Sequence, residues 1–413
     1  YTPLHYLLLK DNFQALVMTS GNISDEPIAF EDDEASQRLQ QIADYFLVHN
    51  RRIQTRTDDS IARIMGGKAM MLRRSRGYVP RALFLSQEMP QILATGAELK
   101  STICLTTGDR AYLSQHIGDL KNSEVYESFC RSIGQLEEIL DVKPMAIAHD
   151  LHPDFYSTRY AEERSGVERI PVQHHHAHLA SCLAENNHAG DAIGMIFDGL
   201  GYGIDGNIWG GEFLVGGFKS FKRLGHFSHI PMPGGDAAVK EPFRMALSYL
   251  FRVYGDNLPD LPLVKAIPEK ELKLFRQMIE KGLNSPLTSS CGRLFDGVAA
   301  LVGLRGTVTY EGQAALELEQ IADPMADGCY PFNLVKDEGG FCLCYESLIS
   351  AIVDDLLAGE PVASISGRFH NTLANVVLSV TRRIWNMTGL ETVALSGGVF
   401  QNRMLTEKVV QSL

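Results

Sequence analysis

The sequence has no run approaching the roughly 18 uninterrupted apolar residues that a membrane helix requires, although 45% of its residues are hydrophobic. The pattern predicts no membrane span. It is also short of positive charge. Its 38 Lys and Arg against 50 Asp and Glu leave a formal charge of -12, the opposite of what neutralising a phosphate backbone favours, so no nucleic acid is expected as a partner. A disulfide pattern is missing too: the cysteines number 7 and lie scattered, which fits a reducing compartment and a cytoplasmic location. One close pair, Cys342-Leu343-Cys344, sits in an alternating apolar run that puts both sulfurs on one strand face, and reads as core packing rather than as a metal site. The chain lacks an initiator methionine and a basic-then-apolar leader. Its opening, Tyr1-Thr2-Pro3-Leu4, reads as the start of a piece of a longer protein.

What is present is a chain of 413 residues, too long for one ordinary core, so two or three units are expected. A basic, proline-punctuated stretch from Leu72 to Arg81 ends the first part, and a boundary is placed near Ser86. From Gln91 three strand-like segments separated by glycine turns lead into a helix over Ser123 to Leu140 and a strand at Met145 to Leu151. A second cycle follows the histidine-rich helix: strand, glycine-rich turn and strand from Ala192, then a third strand near Phe221 to Ile230. Two related α/β lobes with a cleft between them are the expected architecture. The charged helix from Pro268 to Gly282 reads as a solvated insertion.

Three segments carry chemistry. His174-His175-His176-Ala177-His178 opens a helix, and His174 and His178 at i, i+4 stack two imidazoles on one face, close enough to share one metal ion if another segment supplies a third ligand. The alternative is that these imidazoles cap the helix or bond locally. Asp198-Gly199-Leu200-Gly201 follows an apolar strand, the construction by which Gly199 and Gly201 bring backbone N–H groups to phosphate while Asp198 orients metal or water. A second such turn, Ser396-Gly397-Gly398, lies near the end. Asp296, on a helix start, is placed to accept ribose hydroxyls. Taken singly, each also reads as a glycine hairpin or an ordinary helix-end carboxylate.

In this order the segments resemble the TsaD-like carbamoyl- and threonylcarbamoyl-transferases from about Gln91 to the end. The resemblance implies a duplicated actin/Hsp70-type ATPase fold, a metal pair at His174 and His178, and ligand contacts at Asp296 of Phe295-Asp296-Gly297-Val298-Ala299, Gly312 of Tyr310-Glu311-Gly312-Gln313 and Asn402 of Gly397-Gly398-Val399-Phe400-Gln401-Asn402. The amino-terminal part is similar to a YrdC domain, an α+β fold. Met18 to Pro27 looks like its nucleotide loop, which implies nucleotide contacts at Ser20 and Asn22, and Asp58-Asp59-Ser60-Ile61 with Leu72-Arg73-Arg74 looks like the segments closing that pocket, at Ser60 and Arg73.

A YrdC-like unit (1–86) fused to a TsaD-like unit (87–413) is the arrangement of hydrogenase-maturation carbamoyltransferases of the HypF type. That resemblance implies an α/β enzyme that makes carbamoyl-adenylate from carbamoyl phosphate and ATP, with Mg accompanying the ATP. It then passes the carbamoyl group to the carboxyl-terminal cysteine of a partner, HypE, for a cyanide ligand. It also implies zinc or iron on His174, His178 and Asp198. No covalent nucleophile is expected from the chain itself. Whole members of the family add an acylphosphatase-like domain and zinc fingers before this region and a metal-binding aspartate after it; neither is in this sequence. The alternatives are threonylcarbamoyl transfer to tRNA and an actin-fold small-molecule kinase.

Overall fold

Six successive buried residues, Ala192 to Phe197, begin strand β8 (Ala192–Tyr202). A strand apolar on both faces must lie inside a layered sheet, and the architecture is built around it. The structure, a computed structural model, describes residues 3–23, 26–337 and 339–413. Ser24 and Asp25 of the expected nucleotide loop, and Tyr1 and Thr2, lie outside the described residues.

Fifteen strands occur among the described residues. An antiparallel hairpin joins β1 (Ile61–Met65) and β2 (Lys68–Arg73). The first lobe is a sheet of β3 (Leu83–Met89), β4 (Ile92–Ala94), β5 (Cys104–Leu113), β6 (Ala146–Asp150) and β7 (Glu168–Val172) in the order β3-β5-β4-β6-β7. The second is the larger sheet of β8, β9 (Ile208–Gly216), β10 (Phe221–Phe227), β11 (Ile230–Pro231), β12 (Leu287–Thr288), β13 (Asn333–Asp337), β14 (Gly340–Cys344) and β15 (Val393–Ser396). In each lobe an antiparallel set (β3-β5-β4; β10-β9-β8) continues into parallel strands (β6 and β7; β15). The expected pair of related α/β lobes is this recurrence.

One detail differs from the sequence pattern. The second and third strand-like segments after Gln91 form a single strand, β5, running through Gly108 at positive φ. The edge position goes instead to β3, which precedes Gln91 in the chain and registers Leu83 with Ala111 and Phe84 with Arg110. The boundary expected near Ser86 therefore falls inside β3. Strand partners are chosen by non-local pairing, which a local alternation pattern does not encode.

The Ser123–Leu140 helix covers the first lobe. Asn122 caps it by accepting from Glu124 and Val125 N–H, and Val125, Phe129, Ile133 and Leu136 recur at helical spacing along the buried face. The charged Glu269–Lys281 helix buries only Phe275 and ends at Gly282 in the left-handed region, as a solvated element should. By contrast, every residue of the Cys291–Leu301 helix is buried, and it packs on the Phe243–Tyr254 helix. Two exposed ion pairs bridge the lobes: Lys100 with Glu311 at 2.8 Å, and Lys121 with Asp236 at 3.3 Å. The β1–β2 hairpin is tied to the second lobe by Arg63 on Glu319 (2.7 Å) and by the Gly66 N–H on Glu407 (3.0 Å). No helix among the described residues is long and apolar enough to cross a membrane.

Gly297 is where the two buried helices touch. A Cβ there would sit 2.8 Å from the Tyr249 ring, so Gly297→Ala forces the helices apart. The expected loss is about 1–3 kcal/mol, as for overpacked cores, read as a lower urea midpoint at unchanged slope; an unchanged midpoint would contradict the contact.

Candidate metal and nucleotide site

The His174–Glu185 helix begins where β7 ends. Gln173 caps it, its side-chain oxygen accepting the His176 N–H at 2.8 Å. The first turn lays His174 and His178 over the middle of β8, where Asp198 follows the buried run. Asp198 Oδ2 is 3.3 Å from Nε2 of both His174 and His178, and the three ligand atoms all lie within 4.8 Å of one another. The sequence pattern named these three residues, and the fold gathers them.

The surroundings fix this cluster. Asp150, at the end of β6 in the other lobe, meets His174 Nδ1 at 2.8 Å through Oδ2 and accepts the His152 N–H at 2.9 Å through Oδ1. Ser396 Oγ is 3.2 Å from His178 Nδ1, and the Gly398 N–H donates to Asp198 Oδ1 at 3.0 Å. Gly201 is required because a Cβ would lie 2.4 Å from His175 and 2.7 Å from His174. His175 is fully buried; the Gln173 amide donates to its Nδ1, and its Nε2 has no hydrogen-bond partner among the described residues. Burial pushes the His175 imidazole down to about 3.

Electrostatics concentrate on Asp198. Burial works to raise its carboxyl, and hydrogen bonds with His174 and His178 more than reverse this, holding it well below the usual carboxylate range. For His174, burial disfavours the charged ring, but Asp150 and Asp198 together lift it to about 10. With Nδ1–H held by Asp150, His174 Nε2 faces a carboxylate oxygen, and a cation must stand between them, a proton or a metal ion. Two imidazole nitrogens and a carboxylate oxygen, backed by a second carboxylate that orients one ring, are a donor set for zinc or iron. The residues present fit such an ion.

Of the two expected glycine turns, the one after Asp198 is instead a bulge within β8, its pairing with β9 shifting register between Phe197 and Gly201, and it meets the second at the same place. Gly397 has φ of 100°, and a Cβ there would sit 2.2 Å from the Phe197 carbonyl, so β15 and β8 can run this close only with glycine. Gly199 touches the start of the Cys291–Leu301 helix, where a Cβ on Gly292 would meet it at 2.9 Å. Ser290 caps that helix by accepting the Arg293 N–H and lies against the Asp198 carbonyl at 2.9 Å. Glu212, fully buried, accepts from Ser289 Oγ, Arg223 Nε and the N–H groups of Gly210 and Gly211, which fixes the neighbouring turn.

Other expected contacts are placed differently. Asp296 is buried 2.9 Å from Arg293 Nη2 without the alignment of a hydrogen bond, and burial raises its carboxyl against the pull of Arg293. Asn402 is nine-tenths buried with both side-chain atoms engaged: Oδ1 accepts from Leu405 N–H, and Nδ2 is 2.8 Å from His370 Nε2. It fixes the turn from within. Gly312 caps the Gln313–Ile321 helix at positive φ, exposed beside the Lys100–Glu311 bridge. In the amino-terminal part, Ser60 Oγ joins Arg76 O and Ser75 N, and Arg73 meets Asp58 at 2.6 Å, whereas Ser20 and Asn22 bond each other and Ile23. Sequence reasoning missed Arg293, buried with Nε and Nη1 unpartnered among the described residues and Nη2 beside Gly199. Its only sequence signal is the i, i+3 spacing to Asp296.

Residues 194–413 match the family model "Carbamoyltransferase, Kae1-like Domain, second subdomain", 87–185 match "HypF Kae1-like domain", and 1–75 match the Sua5/YciO/YrdC model described as "Telomere recombination". The chain belongs to the HypF carbamoyltransferase family. It is 39% identical to carbamoyltransferase HypF2 of Cupriavidus necator over 100% of its length and 56% of that protein's, and 39% identical to the probable carbamoyltransferase HypF of Methanocaldococcus jannaschii, covering 54% of it. A shorter HypF homolog of C. necator is 36% identical, with 78% of this chain matched to 84% of that protein. The chain thus spans about half the length of the longer relatives. A crystal structure of full-length HypF in the phosphate- and nucleotide-bound form superposes with a TM-score of 0.95 at 39% identity, over 100% of this chain and 64% of that one.

The geometry predicts that His178→Ala loses one equivalent of bound zinc, and that Asp150→Asn weakens binding at the same site by roughly 10–100-fold with an unchanged circular dichroism spectrum. Equal zinc affinity in Asp150→Asn would show that the outer carboxylate does not orient His174.

Proposed function

We propose that this chain carries two successive steps of carbamoyl transfer in nickel–iron hydrogenase maturation. Residues 1–86 form the later part of a YrdC-like unit that makes carbamoyl-adenylate from carbamoyl phosphate and Mg-bound ATP. Residues 87–413 form a TsaD-like unit that passes the carbamoyl group to the carboxyl-terminal cysteine of HypE, for a cyanide ligand. The observation that carries the reading is the sharing of Asp198 by His174, His178 and the Gly398 N–H, where the bulge in β8 meets the Gly397–Gly398 turn. Family membership and the nucleotide-bound relative support it. The unpaired cysteines agree with a cytoplasmic setting.

Carbamate is a poor electrophile, and AMP supplies the leaving group. The phosphate is placed beside Gly199 and the Gly397–Gly398 turn, where β8, β15 and the start of the Cys291–Leu301 helix converge. Arg293 places guanidinium charge behind Gly199 to balance negative charge released with AMP. His174, His178 and Asp198 would hold the metal ion, which would supply polarisation of a carbamoyl or phosphate oxygen. Asp150 keeps the His174 ring turned toward it. The attacking thiolate belongs to the acceptor, so the chain contributes orientation, charge and exclusion of water.

In the complete protein, His178→Ala is expected to retain ATP–pyrophosphate exchange dependent on carbamoyl phosphate and to lose transfer to the acceptor cysteine. Exchange that requires threonine and bicarbonate would replace this reading with tRNA modification; ADP with a phosphorylated small molecule would replace it with a kinase.

A further inference from the structure

The large sheet carries a second convergence of ligand-type side chains, two strands from Asp198. β10 and β14 run parallel with His226 in register with Cys342, and β13 flanks β14 on its other side, ending at Asp337. His226 Nε2 is 3.1 Å from Asp337 Oδ2, and one ligand atom from each of His226, Asp337 and Cys342 lies within 4.8 Å of the others. His226 Nδ1 is 2.8 Å from the Phe227 carbonyl. That carbonyl can only accept, so Nδ1 carries a proton and Nε2 faces the carboxylate oxygen with either a proton or a metal ion between them. Ser228 Oγ is hydrogen-bonded to Cys342 Sγ at 3.1 Å and lies 3.5 Å from Cys344 Sγ. Beside them the His229 ring packs 4.8 Å from that of His226, with its Nε2 buried and unpartnered among the described residues.

We propose that His226, Asp337 and Cys342 form a second cation site, separate from His174–His178–Asp198, that takes zinc or another thiophilic divalent ion. Nitrogen, sulfur and one carboxylate oxygen suit zinc and disfavour magnesium and calcium. Binding forms one bond to each ligand atom and releases the Cys342 thiol proton to solvent. Cys342 is buried and Asp337 exposed, which gives the ion a path in. Once bound, it staples the β13–β14 hairpin to β10, and Ser228 is placed to donate to the thiolate. Core packing of the Cys342–Cys344 face is then only part of its role.

Cobalt(II), added to the metal-free chain as a spectroscopic substitute for zinc, tests this. Two equivalents are expected, one of them with sulfur-to-cobalt charge-transfer absorption in the near ultraviolet, since the first site offers no sulfur. His178→Ala removes one equivalent and keeps that absorption; Cys342→Ala removes the absorption and the other equivalent. Asp337→Asn, at an exposed position, weakens the absorbing site by at least the roughly 10–100-fold that loss of an outer-shell partner costs, at an unchanged circular dichroism spectrum. The proposal is overturned if the unmodified chain lacks the absorption, if Cys342→Ala retains it, or if Asp337→Asn binds as before.

Discussion

A largely buried carboxylate is the constraint on which the second lobe and its junction with the first depend. Asp198 follows the buried run of β8, where an ionised oxygen without compensation would cost several kcal/mol. Compensation arrives from three groups on two segments: both helix imidazoles and the Gly398 N–H. Each partner has its own requirement. His174 needs Asp150 from the other lobe, and Gly398 reaches Asp198 only because Gly397 lets β15 run against Phe197. One charge thus fixes the register of β15, the seat of the histidine helix and the approach of β6.

The parts of this arrangement legible in the sequence were the local ones. An i, i+4 histidine pair shares a helix face wherever the helix lies, and the glycines after Ser396 turn the chain as expected, although those after Asp198 stay within β8. Asp198, His174 and His178 could therefore be named together before their distances were known. The two-lobe architecture was legible for the same reason, because the strand–turn–strand pattern occurs twice.

What the sequence withheld depends on partners far along the chain. Asp150 and Ser396 become second partners of the histidines through sheet order, and no spacing rule announces them. Asp296 reads as a free carboxylate in sequence, yet its neighbour one turn earlier is a buried arginine. Asn402 offers an amide that the fold has already committed to Leu405 and His370. Strand β3 takes an edge that the local pattern gave to a later segment.

The clasps between the lobes are of another kind. Lys100–Glu311 and Lys121–Asp236 are solvent-exposed, and pairs of this sort contribute about 0–1 kcal/mol each and less as salt rises. Inside them, the Asp150–His174 bond, the Gln173 amide on the Tyr202 carbonyl and the His152 ring against Tyr202 also join the lobes. Salt therefore loosens the rim of the junction and leaves these sheltered contacts in place.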